Sequence, residues 1–172
     1  MRLFIALCFD DETKNALFSA SKEAEESAGG RFSIPENYHL TIVFIGETER
    51  KNDIEKAISA IDFPAFEYRF YKTGTFDKGI FWVGTEENEN LKNLQKIIKK
   101  SLDEIGIETE EREFIPHITL ARKFLPDEDF DYSKIESLLP DKPILADRIC
   151  LMESKRTDDV LRYTEIFSKN LT

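Results

Sequence analysis

His39-Leu40-Thr41-Ile42-Val43-Phe44 and His117-Ile118-Thr119-Leu120-Ala121-Arg122 are two runs of one pattern, set 78 residues apart in a chain of 172. They hold the only two histidines, and each histidine is followed by apolar-Thr-apolar. Chance coincidence of this kind is on the order of 1 in 10,000 at ordinary residue frequencies. Pro35 lies four residues before the first run and Pro116 immediately before the second. Proline is tolerated at the first position of a strand, so both runs read as strands that begin at the histidine. Side chains at i and i+2 of a strand share a face. His39 therefore stands beside Thr41, and His117 beside Thr119. Leu40, Ile42, Ile118 and Leu120 point the other way, into a core. A one-residue slip would drive the polar pairs into that core, so the register is strongly specified. A repeat at about half the chain length predicts two similar lobes facing one another.

Working outward, further strands are expected at Arg2–Phe9, Tyr38–Ile45, Phe66–Phe76, Ile80–Gly84, Arg148–Met152 and Tyr163–Phe167, from alternating or continuous apolar runs rich in Phe, Ile, Val and Tyr. Helical spacing of apolar residues marks Asp11–Ser27, Asp53–Ile61 and Asn90–Ile105, the last stopped by Gly106, and a shorter helix over Tyr132–Leu139. Strands and helices mix without strict βαβ alternation, which favours an α+β fold. No Pro/Gly/Ser-rich linker divides the chain, so residues 1–172 are expected to form a single domain of two lobes.

The net charge is −10, from 34 acidic against 24 basic residues. Holding a long nucleic acid depends on Lys/Arg neutralisation of phosphates, so this balance argues against it. A local basic pocket for an end or a short oligonucleotide is the compatible alternative. The opening MRLFIALCFD is too short for a membrane span or a secretory core and reads as a buried first strand. A cytoplasmic monomer is expected. Cys8 and Cys150 both lie in apolar strand-like runs, which favours paired buried thiols over a disulfide.

Two imidazoles and two hydroxyls in one small space suit phosphoryl chemistry. In-line displacement at phosphorus needs a base on the attacking oxygen and an acid on the leaving oxygen. Histidine can supply both near pH 7. The Thr41 and Thr119 hydroxyls can donate to non-bridging oxygens that bear charge in the transition state. The two ring nitrogens would then stand about 5–8 Å apart, two hydrogen bonds plus a phosphate. A zinc site would need further ligands, and no HxH, HExxH or Cys/His cluster is present, so metal-free catalysis with no cofactor is the better fit. Arg122 is the candidate phosphate clamp, although simple alternation puts it on the face opposite His117, so that it needs a bulge or a strand end to reach the cleft. Phe44 and Tyr163 are candidate stacking partners for a base.

The chain resembles the two-histidine (2H) phosphoesterases, specifically the LigT-like RNA 2′,3′-cyclic phosphodiesterases once called 2′-5′ RNA ligases. The likeness runs over Met1–Leu7, Asn37–Thr41, Phe44–Glu47, Phe81–Gly84 and Phe114–Arg122. It implies a bilobal, pseudo-symmetric α+β fold with two antiparallel sheets lining a central cleft and helices outside. It also implies hydrolysis of a terminal 2′,3′-cyclic phosphate to a 2′-phosphomonoester, with His39 as proton donor and His117 as proton acceptor. The residues alone leave these roles open, because the two motifs are nearly equivalent. An RNA 3′ end, a short oligonucleotide or a cyclic nucleotide is the implied partner. Two departures stand out: Phe32 replaces a frequent Trp, and Phe76–Ile80 lacks the family's usual Pro-Arg-rich stretch, which weakens the expectation of base contacts from that loop. A ligase or transesterase using the same residues, and a non-catalytic RNA-binding module, are the competing readings.

Overall fold

In the computed structural model, which describes residues 1–172, the apolar opening run becomes strand β1 (Arg2–Cys8), the spine of the first lobe. It is flanked on one side by β3 (His39–Glu47) and on the other by β9 (Arg148–Thr157), which pairs in turn with β10 (Val160–Asn170). Every pairing in this sheet is antiparallel, in the order β10-β9-β1-β3. Leu3, Ile5 and Leu7 of β1 enter the main core, while Phe4 and Ala6 face the other way.

The second sheet has the order β2-β7-β6-β5 and is also antiparallel, built from β2 (Ala28–Phe32), β5 (Phe70–Phe76), β6 (Ile80–Thr85) and β7 (His117–Pro126). A short ribbon pairs β4 (Phe66–Tyr68) with β8 (Ile144–Ala146). The lobes are therefore not the two halves of the sequence. The first half lends β2 to the second lobe, and the second half lends β9 and β10 to the first. The two histidine strands, β3 and β7, approach each other between the sheets.

Helices α1 (Asp11–Glu25), α2 (Lys51–Ser59), α3 (Glu89–Glu104) and α4 (Tyr132–Glu136) lie where helical periodicity places them; α1 and α4 begin at the expected residue and stop short, while α2 and α3 sit two residues and one residue earlier than expected. Asp10 caps α1 by accepting from Thr13 N at 2.8 Å, and Asn88 caps α3 from Leu91 N at 3.1 Å. Gly106, at φ +76°, ends α3 in the left-handed conformation that glycine adopts without strain. Leu91, Leu94, Ile98 and Leu102 of α3 join a core of 35 buried residues that reaches both sheets.

Three expectations are corrected. Phe66–Phe76 is two strands, broken at Arg69, and each half joins a different sheet. Strand β2 escapes notice because its sequence, Ala-Gly-Gly-Arg-Phe, does not alternate and is poor in β-forming residues; it forms along the edge of β7, with Ala28 and Phe32 packed on the core. The last two strands outrun their apolar cores, forming a long hairpin whose polar tip turns at Asp158 and Asp159, both at positive φ. No helix is long and apolar enough to cross a membrane.

Candidate active site

His39 is the first residue of β3, opposite Cys8 of β1, and His117 is the first residue of β7, opposite Gly84 of β6. Each ring makes the same local bond. His39 Nδ1–H donates to the main-chain oxygen of Asn37 at 2.7 Å, and His117 Nδ1–H donates to that of Ile115 at 2.7 Å. A carbonyl can only accept, so in both rings the Nδ1 nitrogen carries the proton and Nε2 is left with a free lone pair in the neutral form. His39 Nε2 lies 2.9 Å from the Thr41 hydroxyl, the i+2 neighbour on its face.

The repeat extends to the backbone. One step of β1, from Ile5 to Ala6, spans Val43 to Thr41 of β3, so Ile42 is an extra residue. One step of β6, from Phe81 to Trp82, spans Ala121 to Thr119 of β7, so Leu120 is an extra residue. Both strands bulge at the residue after the motif threonine. A bulge lets two successive side chains lie on one face. Ile42 and Val43 are both buried, and so are Leu120 and Ala121. This corrects simple alternation for Arg122: the bulge returns it to the face of His117 and Thr119. Its charge is among those that lower the basicity of both imidazoles. Phe44, three residues after Thr41, is carried to the cleft side in the same way, where it packs on Phe4, Ala6, Cys150 and Met152. The Arg2 guanidinium sits 4.8 Å over its ring, so that face is already covered.

The two imidazoles differ in their surroundings. His39 packs against Phe4 (4.7 Å) and, edge-on, against Tyr163 of β10 (4.9 Å). Burial pushes it down to about 4, with the Asn37 carbonyl working in the opposite direction and the charges of His117 and Arg122 adding to the decrease. The strands that carry the two rings, β3 and β7, pack against each other. His117 packs edge-on against Phe76 at 5.0 Å, and burial also lowers it, opposed by the Ile115 carbonyl and aided by Arg112 and Arg122. Phe76 leans on Trp82 at 5.1 Å. Across the strand from Trp82 is Gly74, where a Cβ would lie 2.4 Å from the indole, so the wall needs that glycine.

Three contributors carry no motif of their own in the sequence. Asn37 ties the site to β10: its side-chain amide donates to Leu161 O at 2.8 Å, and its side-chain oxygen accepts from Tyr163 N at 3.1 Å. Its signals are an amide two residues before the first histidine and a place in the Asn37–Thr41 stretch of the family likeness. Phe4 and Phe76 look like any other strand aromatic. Phe76 shows that the β5–β6 hairpin reaches a histidine despite its departure from the family pattern.

Beside His39 lies a cavity of about 180 Å³ lined by residues that include Lys14, Asn37, Arg148, Tyr163 and Glu165. Cys8 and Cys150 are free thiols. With Glu165 they form the chain's one cluster of three potential metal-ligating atoms, within 4.8 Å of one another, and it includes neither histidine. Glu165 already binds Arg148 at 2.7 Å.

Residues 31–158 match the model of the 2′-5′ RNA ligase superfamily, a span that holds both motifs. The chain belongs to this superfamily. It is 32% identical to the RNA 2′,3′-cyclic phosphodiesterase of Thermotoga maritima, over 79% of this chain and 81% of that relative. It is 30% identical to the protein of that name from Archaeoglobus fulgidus, over 71% of this chain and 72% of the relative. The fold is also that of solved structures. Escherichia coli LigT superposes with a TM-score of 0.80 at 22% identity, covering 99% of this chain and 97% of LigT. LigT has also been crystallised with 3′-AMP.

Proposed function

We propose that residues 1–172 act as one domain of two lobes that hydrolyses the terminal 2′,3′-cyclic phosphate of RNA to a 2′-phosphomonoester. His39 and His117 supply the acid and the base, and no metal takes part. The observation that carries this reading is the matched pair of imidazoles. Each is held at Nδ1 by a main-chain carbonyl, and each has a threonine on its own face of the strand. The names of the relatives agree with the reaction, and LigT's complex with 3′-AMP agrees with a nucleotide end as the ligand.

His117 takes a proton from water as the water oxygen attacks phosphorus. His39 gives a proton to the 3′ oxygen as the bond from phosphorus to that oxygen breaks, leaving the phosphate on the 2′ oxygen. The surroundings support this division. No protein group occupies His117 Nε2, so water can reach it, and a lowered basicity keeps it unprotonated at neutral pH. Burial keeps His39 neutral at pH 7, and an arriving phosphate anion raises its proton affinity, since an opposite charge favours the protonated form. Thr41, Thr119 and Arg122 then face the non-bridging oxygens. Tyr163 forms a wall for the terminal base; Phe44, covered by Arg2, serves the cleft floor.

The test is turnover of an oligonucleotide ending in a 2′,3′-cyclic phosphate, with and without EDTA. Release of a 2′-phosphomonoester at the same rate in both is expected. Loss of turnover with EDTA would overturn metal independence, and absence of turnover in both would overturn the reaction.

A further inference from the structure

Strand β2 has no counterpart in the other lobe: β3 is an edge strand, whereas β7 carries β2 along its outer side. The register of that pair sets Arg31 directly opposite Arg122 and Phe32 opposite Ala121. Phe32 packs on the core beside buried Ala121, so Arg31 and Arg122 share the opposite, cleft-facing side. Like charges directly opposite one another on a sheet are destabilising. Both arginines are exposed, and neither has a carboxylate partner to offset the other's charge. The backbone is shaped around the pair. Pairing shifts between Gly29 and Arg31, with Gly30 at φ +135° and room for no Cβ: one would meet the Arg122 and Lys123 carbonyls at 3.0 Å.

We infer that Arg31, set beside Arg122, is a second anion subsite that takes the internucleotide phosphate on the 5′ side of the cyclic terminus. This rests on the proposed hydrolysis and extends it: the preferred substrate is an oligonucleotide end, not a cyclic mononucleotide. With Leu120 bulged out, Arg122 stands two ladder steps along the strand from Thr119, roughly 7 Å at ~3.3 Å per step, and Arg31 is a further strand spacing of about 5 Å outward. The spacing suits one guanidinium near the reacting phosphate and the next one nucleotide away. Guanidinium groups bind phosphate oxygens through paired N–H donors, and an incoming phosphate would relieve the repulsion between the two.

The experiment compares kcat/KM for uridine 2′,3′-cyclic phosphate and for a trinucleotide ending in the same group, in the wild type, R31Q and R31K. The wild type is expected to favour the trinucleotide by about tenfold or more. In R31Q that ratio falls by about tenfold, carried by KM for the trinucleotide, and R31K keeps most of it. The salt dependence of the trinucleotide reaction also weakens in R31Q by roughly one released counterion. An R31Q ratio equal to that of the wild type, or equal losses on both substrates, would overturn the subsite. Binding of the 2′-phosphorylated trinucleotide product, read by fluorescence anisotropy, separates this from failure of the hydrolysis. If the wild type turns over neither substrate, a weakened Kd in R31Q still supports the subsite, and an unchanged Kd overturns it.

Discussion

The two histidine strands share a motif, a bulge after the threonine and a carbonyl on Nδ1, yet they hold their rings differently. His39 is bound at both nitrogens, packed by Phe4 and Tyr163, and tied through Asn37 to a strand from the far end of the chain. His117 is bound at one nitrogen, packed by Phe76, and entered from the irregular segment 107–116. Shared features come from local sequence and make two equivalent acid–base groups. The differences come from what each lobe borrows from elsewhere in the chain, and they allow the groups to divide the work.

The largest effect expected is on the rings themselves. His39→Ala and His117→Ala should each lower kcat by about 100- to 10,000-fold with circular dichroism unchanged, the range for losing a general acid or base. A variant that folds and keeps wild-type turnover would remove its ring from the chemistry. Thr41→Val and Thr119→Val come next, at about 100-fold each if both hydroxyls stabilise charge in the transition state. They should differ in pH dependence. Thr41 touches His39 Nε2, so its loss should move the titration of the rate, whereas loss of Thr119 should lower the rate without moving it.

Asn37→Ala removes both bonds to β10 and loosens the carbonyl under His39; about a tenfold loss in kcat and a lower Tm are expected, since each buried hydrogen bond contributes about 1 kcal/mol. Ile115→Ala leaves its carbonyl in place and should change kcat less than twofold. Equal effects would contradict the asymmetry.

The smallest effect is on stability. Above the unfolded value of 6.5 His39 is neutral in both states. As pH falls from 6.5 through about 4, the unfolded chain takes a proton that the buried ring refuses, and stability is lost. The loss should be on the order of 1–3 kcal/mol, because each tenfold difference in proton affinity between the two states is worth about 1.4 kcal/mol. Urea midpoints at pH 7 and pH 5 should therefore converge in His39→Gln.

Local pattern carries much of this molecule. A continuous apolar run at Arg2–Phe9 and alternation at the two motifs place three strands, and alternation puts Thr41 and Thr119 beside their histidines, because a strand's faces follow from its period of two. What stays hidden depends on pairing. The bulges at Ile42 and Leu120 leave no mark in a single strand's composition, so alternation alone turns Arg122 away from the cleft. Ala28–Phe32 becomes a strand only because β7 offers it an edge, and with it comes Arg31. Asn37 is visible as a polar residue near His39, but its partners lie more than 120 residues on.

The most direct measurement is the pH dependence of kcat on a cyclic-phosphate oligonucleotide for the wild type and the two histidine-to-alanine variants. Paired acid–base catalysis requires a bell in the wild type, whose two apparent pKa values belong to the pair. The residual rate should lose its acidic limb in His117→Ala, where the base is missing, and its alkaline limb in His39→Ala, where the acid is missing. A flat wild-type profile between pH 5 and 9 would contradict the pairing, and the opposite loss of limbs would exchange the two roles.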